Sequence, residues 1–322
     1  MAAKRAHGAR NNKFTLNIGT IMIHTDISAL NTQFGITDQV TFIEGQGGLI
    51  TIEINNAECS ASIVLQGAHL THWTPRNQKP VIWLSPAVDV APNKAIRGGI
   101  PICWPWFGPH PTNADFPSHG IARTGHWEVI ATTALTDKTQ VSLRLIKDPN
   151  KNELWPYPTT LECHFTLGRE LEIDLVSSNT GSEAIRIGQA LHTYFNIGDI
   201  HNISVIGLED CFYLDKVDGG KRKQQQGPVK VSAETDRIYT DTDADCLIND
   251  PEYQRQIRIE KRGSLSTVVW NPWVEKSTAM ADMGGNAYIN MLCVESANAV
   301  DDVRTLQPGD VHHLWVRYSV AN

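Results

Sequence analysis

A strict alternation of apolar and polar residues recurs along this chain, and it limits the possible folds more than any other feature. The run 50–55 reads ITIEIN, and comparable alternation returns at 141–145, 171–175 and 314–320. Successive side chains of a β-strand point to opposite faces. Each run therefore predicts a strand with one face on a core and the other toward solvent or a second sheet.

Turn-forming residues separate these runs, and convincing amphipathic helices are scarce. The turn signals are Gly47-Gly48, Asp148-Pro149-Asn150, Asn179-Thr180-Gly181, Gly219-Gly220, Gly284-Gly285 and Pro308-Gly309. Short strands at such regular spacing predict an all-β fold, either an antiparallel sandwich or a barrel, with few short helices. The polar segment 221–226, KRKQQQ, is predicted to be an exposed loop.

The length of 322 residues suits a single large all-β domain. No linker or internal repeat interrupts residues 41–322, which we assign to one domain. We assign residues 1–40 to an N-terminal extension that is partly disordered. Residues 1–13 are basic and polar, and no apolar segment follows them. We interpret them as a disordered tail, with a transit peptide as the alternative, and Met22 as an alternative start.

The overall charge and the cysteine pattern limit the partners and the compartment. A net charge of −7 and a pI near 5.9 argue against nucleic acid or an anionic membrane as a partner. The longest apolar stretches are too short to span a membrane. The six cysteines form no C-x-x-C pair and have no zinc-ligand spacing, so we expect reduced thiols and a cytoplasmic protein. A monomer is the default expectation.

Two loop segments carry residues suited to a ligand. The segment 97–108, RGGIPICWPWFG, surrounds Arg97 with glycines, prolines and aromatic rings, which let a backbone approach a ligand and offer flat faces to a sugar. Its alternative is a tightly packed corner of the sandwich. In the segment 118–123, His119 and Arg123 flank a glycine and could bind an anion such as phosphate, although a surface loop fits equally well.

Two apolar segments each contain one titratable residue. His192 lies in the run ALHTYF at 190–195, where it is either a core histidine or a general acid or base whose pKa is tuned by a dry surrounding. Glu295 lies in the run MLCVESA at 291–297. Burying a carboxylate is costly unless it is paired or used, so Glu295 is either functional or a strand-end residue at the sheet surface.

These segments together resemble one known family. Six blocks occur in the order found in the glucose-6-phosphate 1-epimerases, a branch of the galactose mutarotase-like aldose 1-epimerase superfamily. The blocks are 65–69, 95–108, 119–123, 191–195, 235–239 and 293–295. The resemblance runs from about residue 50 to the C-terminus, and the block around Arg97 is long and of unusual composition. It implies a large antiparallel β-sandwich that interconverts the α and β anomers of hexose 6-phosphates, most readily glucose 6-phosphate, without a metal or other cofactor.

The resemblance also implies a role for each site residue. His192 matches the family's catalytic histidine, and Glu295 matches its catalytic glutamate. Arg97 and Arg123 match arginines near the substrate phosphate. Asp236 matches a ligand of a sugar hydroxyl, and His119 is expected beside the same site. One departure is Ser118, since some members carry a glutamine before the His-Gly pair, which leaves that substrate contact open.

The implied mechanism needs two proton transfers and no redox step. Glu295 would remove the proton of the anomeric hydroxyl while His192, as imidazolium, protonates the ring oxygen, and the two would exchange roles on ring closure.

Two alternative functions remain open for this sequence. One is a mutarotase of free aldoses, for which the arginines would have no partner. The other is a sugar-phosphate sensor without turnover, which would not need both His192 and Glu295.

Overall fold

The computed structural model describes residues 26–147 and 153–321. The predicted tail at 1–13, the alternative start at Met22 and the predicted turn at 148–150 lie outside the described residues. Within them the chain forms 22 strands and two α-helices. The helices are α1 (Ile27–Phe34) and α2 (Trp273–Ala279). The strands are β1 (Val40–Glu44), β2 (Ile50–Asn55), β3 (Cys59–Val64), β4 (His69–Pro75), β5 (Ile102–Cys103), β6 (Trp127–Ala134), β7 (Thr139–Leu145), β8 (Thr159–Leu167), β9 (Leu171–Asn179), β10 (Ile185–Ile187), β11 (Gln189–Leu191), β12 (Tyr194–Asn196), β13 (Ser204–Ile206), β14 (Phe212–Asp215), β15 (Lys221–Gln224), β16 (Thr235–Tyr239), β17 (Cys246–Asp250), β18 (Arg255–Arg262), β19 (Ser266–Asn271), β20 (Met291–Asn298), β21 (Arg304–Leu306) and β22 (Val311–Ala321).

Two eight-stranded antiparallel sheets form the body of the protein. The front sheet has the order β15-β14-β16-β19-β20-β11-β5, and β12 also pairs with β20. The back sheet has the order β13-β17-β18-β22-β9-β8-β7-β6. Strands β1 to β4 form a separate four-stranded sheet in sequential order, and β10 pairs with β21. The predicted all-β antiparallel fold is confirmed, and its architecture is the sandwich and not the barrel.

The main core lies between the inner faces of the front and back sheets. Leu314 and Val316 of β22 and Val294 of β20 are all completely buried in one hydrophobic cluster. At its centre, Tyr318 packs edge-on against Phe195 with ring centroids 5.2 Å apart. Burying a large apolar side chain stabilises the fold by about 1.5–3 kcal/mol. This shared core fixes the front sheet, whose opposite face carries the candidate site.

The alternating runs form strands as predicted. They lie in β2, β7, β9 and β22. Strand β9 alternates buried and partly buried residues along its whole length, and β22 does so from Leu314 to Tyr318. Among the described residues, no helix is long and apolar enough to cross a membrane.

The segment 26–40, which we assigned to an N-terminal extension, packs onto the body. Asp26 caps helix α1 by accepting a hydrogen bond from the backbone N–H of Ser28 at 2.9 Å. Leu30 is buried in the main core. The Asn31 amide pairs with both backbone groups of Phe42 in β1, at 2.7 and 2.8 Å. The division of the chain at residue 40 into an extension and one domain stays a prediction.

The loop prediction for 221–226 is wrong for its first four residues. Lys221–Gln224 form strand β15 at the edge of the front sheet, paired with β14. Lys223 also forms an ion pair with Asp215 of β14 at 2.8 Å. A lysine-rich edge strand is exposed and lacks the apolar alternation that marks a strand in sequence, so only the pairing with its neighbour reveals it.

Candidate active site

A break in strand pairing places His192 against β20. Strands β11 and β12 both pair with β20, with Leu191 opposite Ser296 and Tyr194 opposite Cys293. His192 falls in the gap between these two ladders. Its own backbone N–H donates to the carbonyl of Pro101 at 3.0 Å. The break brings its Nδ1 to 3.4 Å from Oε1 of Glu295.

The candidate site occupies the face of the front sheet that points away from the main core. Side chains two residues apart on a strand share a face, so Cys293 and Glu295 point to the same side of β20. Asp236 of β16 lies directly opposite Trp270 of β19, and Trp270 lies opposite Cys293. Asp236 therefore belongs to the same face as Glu295, two strands away.

Burial dominates the electrostatics of the His192–Glu295 pair. The exposed fraction of the side chain is 1% for Glu295 and 13% for His192. Burial, with a smaller contribution from Asp236, raises the pKa of Glu295 well above its ordinary value. Burial, assisted by the neighbouring His119 and by the charge of Arg123, lowers the pKa of His192 well below its ordinary value. The uncharged forms are therefore favoured, with the shared proton on Glu295.

Aromatic rings pack around the imidazole of His192. The ring of Tyr194 stacks on His192 with centroids 5.0 Å apart and an interplanar angle of 11°. Trp83 stacks on Tyr194 at 5.7 Å, and Trp270 meets His192 edge-on at 6.0 Å. These rings hold the orientation of the imidazole and offer apolar surface of the kind that suits a sugar face.

Arg97 is held by two partners. Its Nε donates to Asp282 and its Nη1 donates to the hydroxyl of Tyr194, both at 3.2 Å. The backbone beyond it needs glycine, because Gly99 has φ of +68° and a Cβ there would collide with the ring of His69. The Trp104–Pro105 peptide bond of this segment is cis.

The 118–123 segment carries both predicted residues toward the same site. The ring of His119 lies 5.6 Å from that of His192, and its Nδ1 accepts a hydrogen bond from the backbone N–H of Gly108 at 3.3 Å. Burial, assisted by the charges of Arg123 and Arg97, lowers the pKa of His119 to about 3. His119 is therefore neutral at physiological pH.

Arg123 is anchored by a backbone carbonyl group. Its Nη2 donates to the carbonyl oxygen of Ser118 at 2.8 Å. The side chain at position 118 takes no part in this bond, and Ser118 itself is exposed. The geometry thus allows residue 118 to differ between relatives without loss of the support for Arg123.

The family assignment follows from the comparisons with known proteins. The model of the family described as aldose 1-epimerase matches residues 50–319. This chain belongs to the aldose 1-epimerase family. The match covers the front sheet, the back sheet except for the last two residues of β22, and every residue of the candidate site. The chain is therefore an epimerase by family, as the resemblance implied.

Two curated relatives carry the same name, "Putative glucose-6-phosphate 1-epimerase". One, from Escherichia coli K12, is 36% identical over 262 residues, covering 81% of this chain and 87% of the relative. The other, from Cenchrus ciliaris, is 34% identical over 279 residues, covering 83% of this chain and 84% of the relative.

Solved structures share the aldose 1-epimerase fold. The crystal structure of a "putative mutarotase (YeaD)" from Salmonella typhimurium has a TM-score of 0.84 at 32% identity, covering 90% of this chain and 96% of that one. A galactose mutarotase-like protein from Clostridium acetobutylicum has a TM-score of 0.67 at 15% identity, covering 88% of this chain and 98% of that one. The second likeness concerns the fold alone.

All six predicted site residues lie on or beside one face of this epimerase. His192, Glu295 and His119 are in one cluster, Arg97 reaches it through Tyr194, and Asp236 shares the sheet face. Arg123 acts on it electrostatically, because its charge lowers the pKa of both histidines.

Sequence reasoning missed four residues of the site: Tyr194, Trp270, Asp282 and Cys293. The first had a signal, since Tyr194 lies two residues after His192. Cys293 likewise lies two residues before Glu295 and so shares its strand face. Asp282 and Trp270 had none, because only the tertiary structure brings them to Arg97 and His192.

A separate cavity lies beside the 118–123 segment. Its walls include Trp104, Ile121, Gly125, Leu145 and Trp155. None of the six predicted site residues lines it, so it is distinct from the candidate active site.

Proposed function

We propose that this protein interconverts the α and β anomers of hexose 6-phosphates, with glucose 6-phosphate as the first substrate to test. The observation that carries the proposal is the buried His192–Glu295 pair, 3.4 Å apart, on the face that Arg97 reaches through Tyr194. Membership of the aldose 1-epimerase family supports the reaction. The names of the relatives, together with the two arginines, support a phosphorylated sugar.

The reaction opens and closes the sugar ring by two proton transfers. A base removes the proton of the anomeric hydroxyl while an acid protonates the ring oxygen, and the C1–O5 bond breaks. The open aldehyde turns about C1–C2 and closes on its other face. We assign the base to Glu295 and the acid to His192, and the two exchange roles on closure. Each well-placed proton transfer contributes about 10²- to 10⁴-fold in rate.

This assignment requires one proton to move from Glu295 to His192 when substrate binds. Burial favours the uncharged pair, whereas the working pair is a carboxylate and an imidazolium. The positive charges of Arg97 and Arg123 contribute to the low pKa of His192. A bound phosphate would offset both charges and so favour the imidazolium. Phosphate binding would thereby also prepare the acid.

Arg97 and Arg123 supply the phosphate anchor in this proposal. Among the described residues, the hydrogen bonds of Arg97 use Nε and Nη1, which leaves Nη2 for a phosphate oxygen. Binding energy gained far from C1 holds the sugar while C1 rotates. Asp236 binds a sugar hydroxyl, and neutral His119 lines the site beside His192.

The proposal also includes the compartment, the oligomeric state and the cofactor requirement of the enzyme. The reaction takes place in the cytoplasm, which is supported by the absence of disulfides among the described residues, where all six cysteines are free. The enzyme acts as a monomer and needs no cofactor, since the two proton transfers use side chains alone.

The decisive experiment is the α-to-β exchange of glucose 6-phosphate followed by magnetisation-transfer NMR, with and without the protein. Free glucose serves as the matched substrate, and the spontaneous rate of each sugar is the baseline. Acceleration confined to the phosphate would support both the chemistry and the arginine anchor. Equal acceleration of both sugars would replace the proposal with a mutarotase of free aldoses. Binding of glucose 6-phosphate without acceleration would replace it with a sensor.

A further inference from the structure

The candidate active site contains a set of side chains that can hold a metal ion. One donor atom from each of His192, Cys293 and Glu295 lies within 4.8 Å of the others. We propose that this site binds a thiophilic divalent ion of the Zn²⁺ type through these three residues, and that the bound ion blocks the reaction. The metal site stands on geometry alone, whereas its inhibitory effect rests on the proposed function.

The distances suit a tetrahedral ion. Zinc bonds of about 2.0–2.3 Å to nitrogen, oxygen and sulfur place neighbouring ligand atoms about 3.5 Å apart. The Nδ1 of His192 and Oε1 of Glu295 are already 3.4 Å apart. The widest separation in the group is 4.8 Å, and a contraction of about 1 Å lies within the reach of small side-chain rotations.

Two of the donor residues have unused hydrogen-bonding atoms. In the described part of the chain, His192 Nδ1 and Glu295 Oε2 are buried without a hydrogen-bond partner. Buried polar atoms usually have partners, so these two are available to a ligand. Cys293 is completely buried on the same face of β20 as Glu295. The side chain of His192 is 13% exposed, so the group is not fully sealed from solvent.

The charges of the complex also fit a buried site. As the ion binds, the Cys293 thiol and the Glu295 carboxyl each release a proton to solvent. A divalent ion with one thiolate and one carboxylate is then neutral overall, so the burial cost is smaller than for either anion alone. Neutral His192 offers a lone pair, as metal ligation requires. The positive charges of Arg97 and Arg123 disfavour cation binding, whereas the Asp236 carboxylate favours it. With three protein ligands, the fourth position remains open to water.

Inhibition follows from which atoms the ion would occupy. The proposed mechanism moves protons on and off the His192 nitrogen and the Glu295 carboxylate. An ion bound to both would prevent either transfer. The sequence alone does not reveal this group as a metal site. Cys293 and Glu295 do not form a known zinc-binding spacing, and His192 comes from a distant segment, so the three residues meet only in the folded chain.

The metal site is tested by titrating the full-length protein with Cd²⁺ and following the thiolate-to-metal charge-transfer absorbance in the ultraviolet. We expect one equivalent of Cd²⁺ to saturate the band, and Cys293→Ala and Cys293→Ser to lose it. His192→Ala should weaken binding by more than about tenfold, since losing even an outer-shell partner costs 10- to 100-fold. Cys211→Ser is the control, because Cys211 is partly exposed and lies outside the group.

Several outcomes would overturn the metal site. These are an absent band in the wild type, an unchanged band in both Cys293 variants, and a band that Cys211→Ser removes. Circular dichroism verifies the fold of each variant. If both Cys293 variants were unfolded, the Cd²⁺ affinities of Glu295→Gln and His192→Ala would test the metal site instead. An unchanged affinity in both variants would contradict the proposal.

The inhibitory effect is tested separately with Zn²⁺ in the anomer-exchange experiment. We expect Zn²⁺ to abolish the enzymatic acceleration and EDTA to restore it, with an enzyme-free sample at the same Zn²⁺ concentration as the baseline. The Zn²⁺ concentration that halves the acceleration, referred to each protein's own Zn²⁺-free rate, should be higher in Cys293→Ala and Cys293→Ser than in the wild type. An active wild type that binds Cd²⁺ but ignores Zn²⁺ would contradict inhibition. A protein that binds Cd²⁺ but never accelerates exchange would contradict the proposed function and leave the metal site intact.

Discussion

Arg97 and Tyr194 are joined by a hydrogen bond of 3.2 Å from the guanidinium to the phenol hydroxyl. The ring of Tyr194 also stacks on His192 at an angle of 11°. One side chain thus connects the proposed phosphate anchor to the proposed acid. We interpret Tyr194 as a positioning residue that holds both at once.

Removing only the Tyr194 hydroxyl should separate its support of Arg97 from its stacking on His192. Tyr194→Phe keeps the ring stacked on His192 and frees Arg97 from one partner. We expect KM for glucose 6-phosphate to rise several-fold while kcat changes little, and stability to fall by about 1 kcal/mol. Steady-state kinetics and urea denaturation measure the two effects.

Tyr318→Phe is the matched control for Tyr194→Phe. Tyr318 belongs to β22 of the back sheet, and its hydroxyl reaches across the main core to lie 2.7 Å from Oγ1 of Thr193. Its loss should lower stability by a similar amount and leave KM unchanged. An equal rise of KM in both variants would mean that Tyr194 acts only through general stability.

Changes to the two proposed catalytic residues should affect turnover far more than binding. His192→Ala and Glu295→Gln each remove one proton transfer, so we expect kcat to fall by about 10²- to 10⁴-fold. Glucose 6-phosphate binding, measured by calorimetry, should remain within a few-fold. Wild-type turnover in either variant would remove that residue from the mechanism.

Glu260→Gln provides a buried carboxylate control. Glu260 lies on the back sheet, where it accepts two hydrogen bonds from Arg317 at 2.6 and 2.8 Å. It is 7% exposed, and this pairing lowers its pKa. We expect this variant to lose stability with unchanged kcat, which separates the loss of a buried carboxylate from the loss of a catalytic one.

Arg97 should determine phosphate affinity through the shape of its guanidinium as well as its charge. Arg97→Ala should raise KM for glucose 6-phosphate, because one of the two proposed phosphate ligands is lost. Arg97→Lys keeps the charge but cannot form the fork to Asp282, Tyr194 and phosphate, so only part of the affinity should return. An unchanged KM in Arg97→Ala would exclude this residue from the phosphate site.

Acid should destabilise the fold through one buried and one partly buried histidine outside the proposed catalytic pair, His69 and His312. Burial lowers the pKa of His69 to about 4, and burial with the Arg304 charge lowers that of His312 to about 4. An unfolded histidine titrates near 6.5. Between these values the unfolded chain binds protons that the native chain does not. Stability is therefore complete above about pH 6.5 and is lost as the pH falls toward about 4.

Urea denaturation between about pH 7 and pH 5 measures this loss. His312→Gln removes one of the titrating groups, so its free energy of unfolding should change less over this range than that of the wild type. Identical pH dependence in the two proteins would mean that the native protein does not keep His312 in its neutral form. The native ring bonds to Oδ1 of Asn298 at 3.0 Å, which a glutamine amide can replace.

Much of the fold could be predicted because its signals are local. Alternation over a few residues, as in β9 and β22, follows directly from the geometry of a strand with one buried face. The edge strand β15 escaped prediction because both of its faces are largely exposed, so no apolar pattern marks it. Its pairing with β14 is a tertiary contact.

The sequence by itself determined which residue types the site could use. The odd composition of 97–108 and the lone titratable residues His192 and Glu295 stood out because each departs from its local pattern. Only the tertiary structure decided their geometry. The broken ladder on β20 sets the 3.4 Å between His192 and Glu295, and packing brings Asp282 to Arg97. The distances between site atoms and the direction of each pKa shift depend on how distant segments pair and bury one another. No local sequence pattern contains that information.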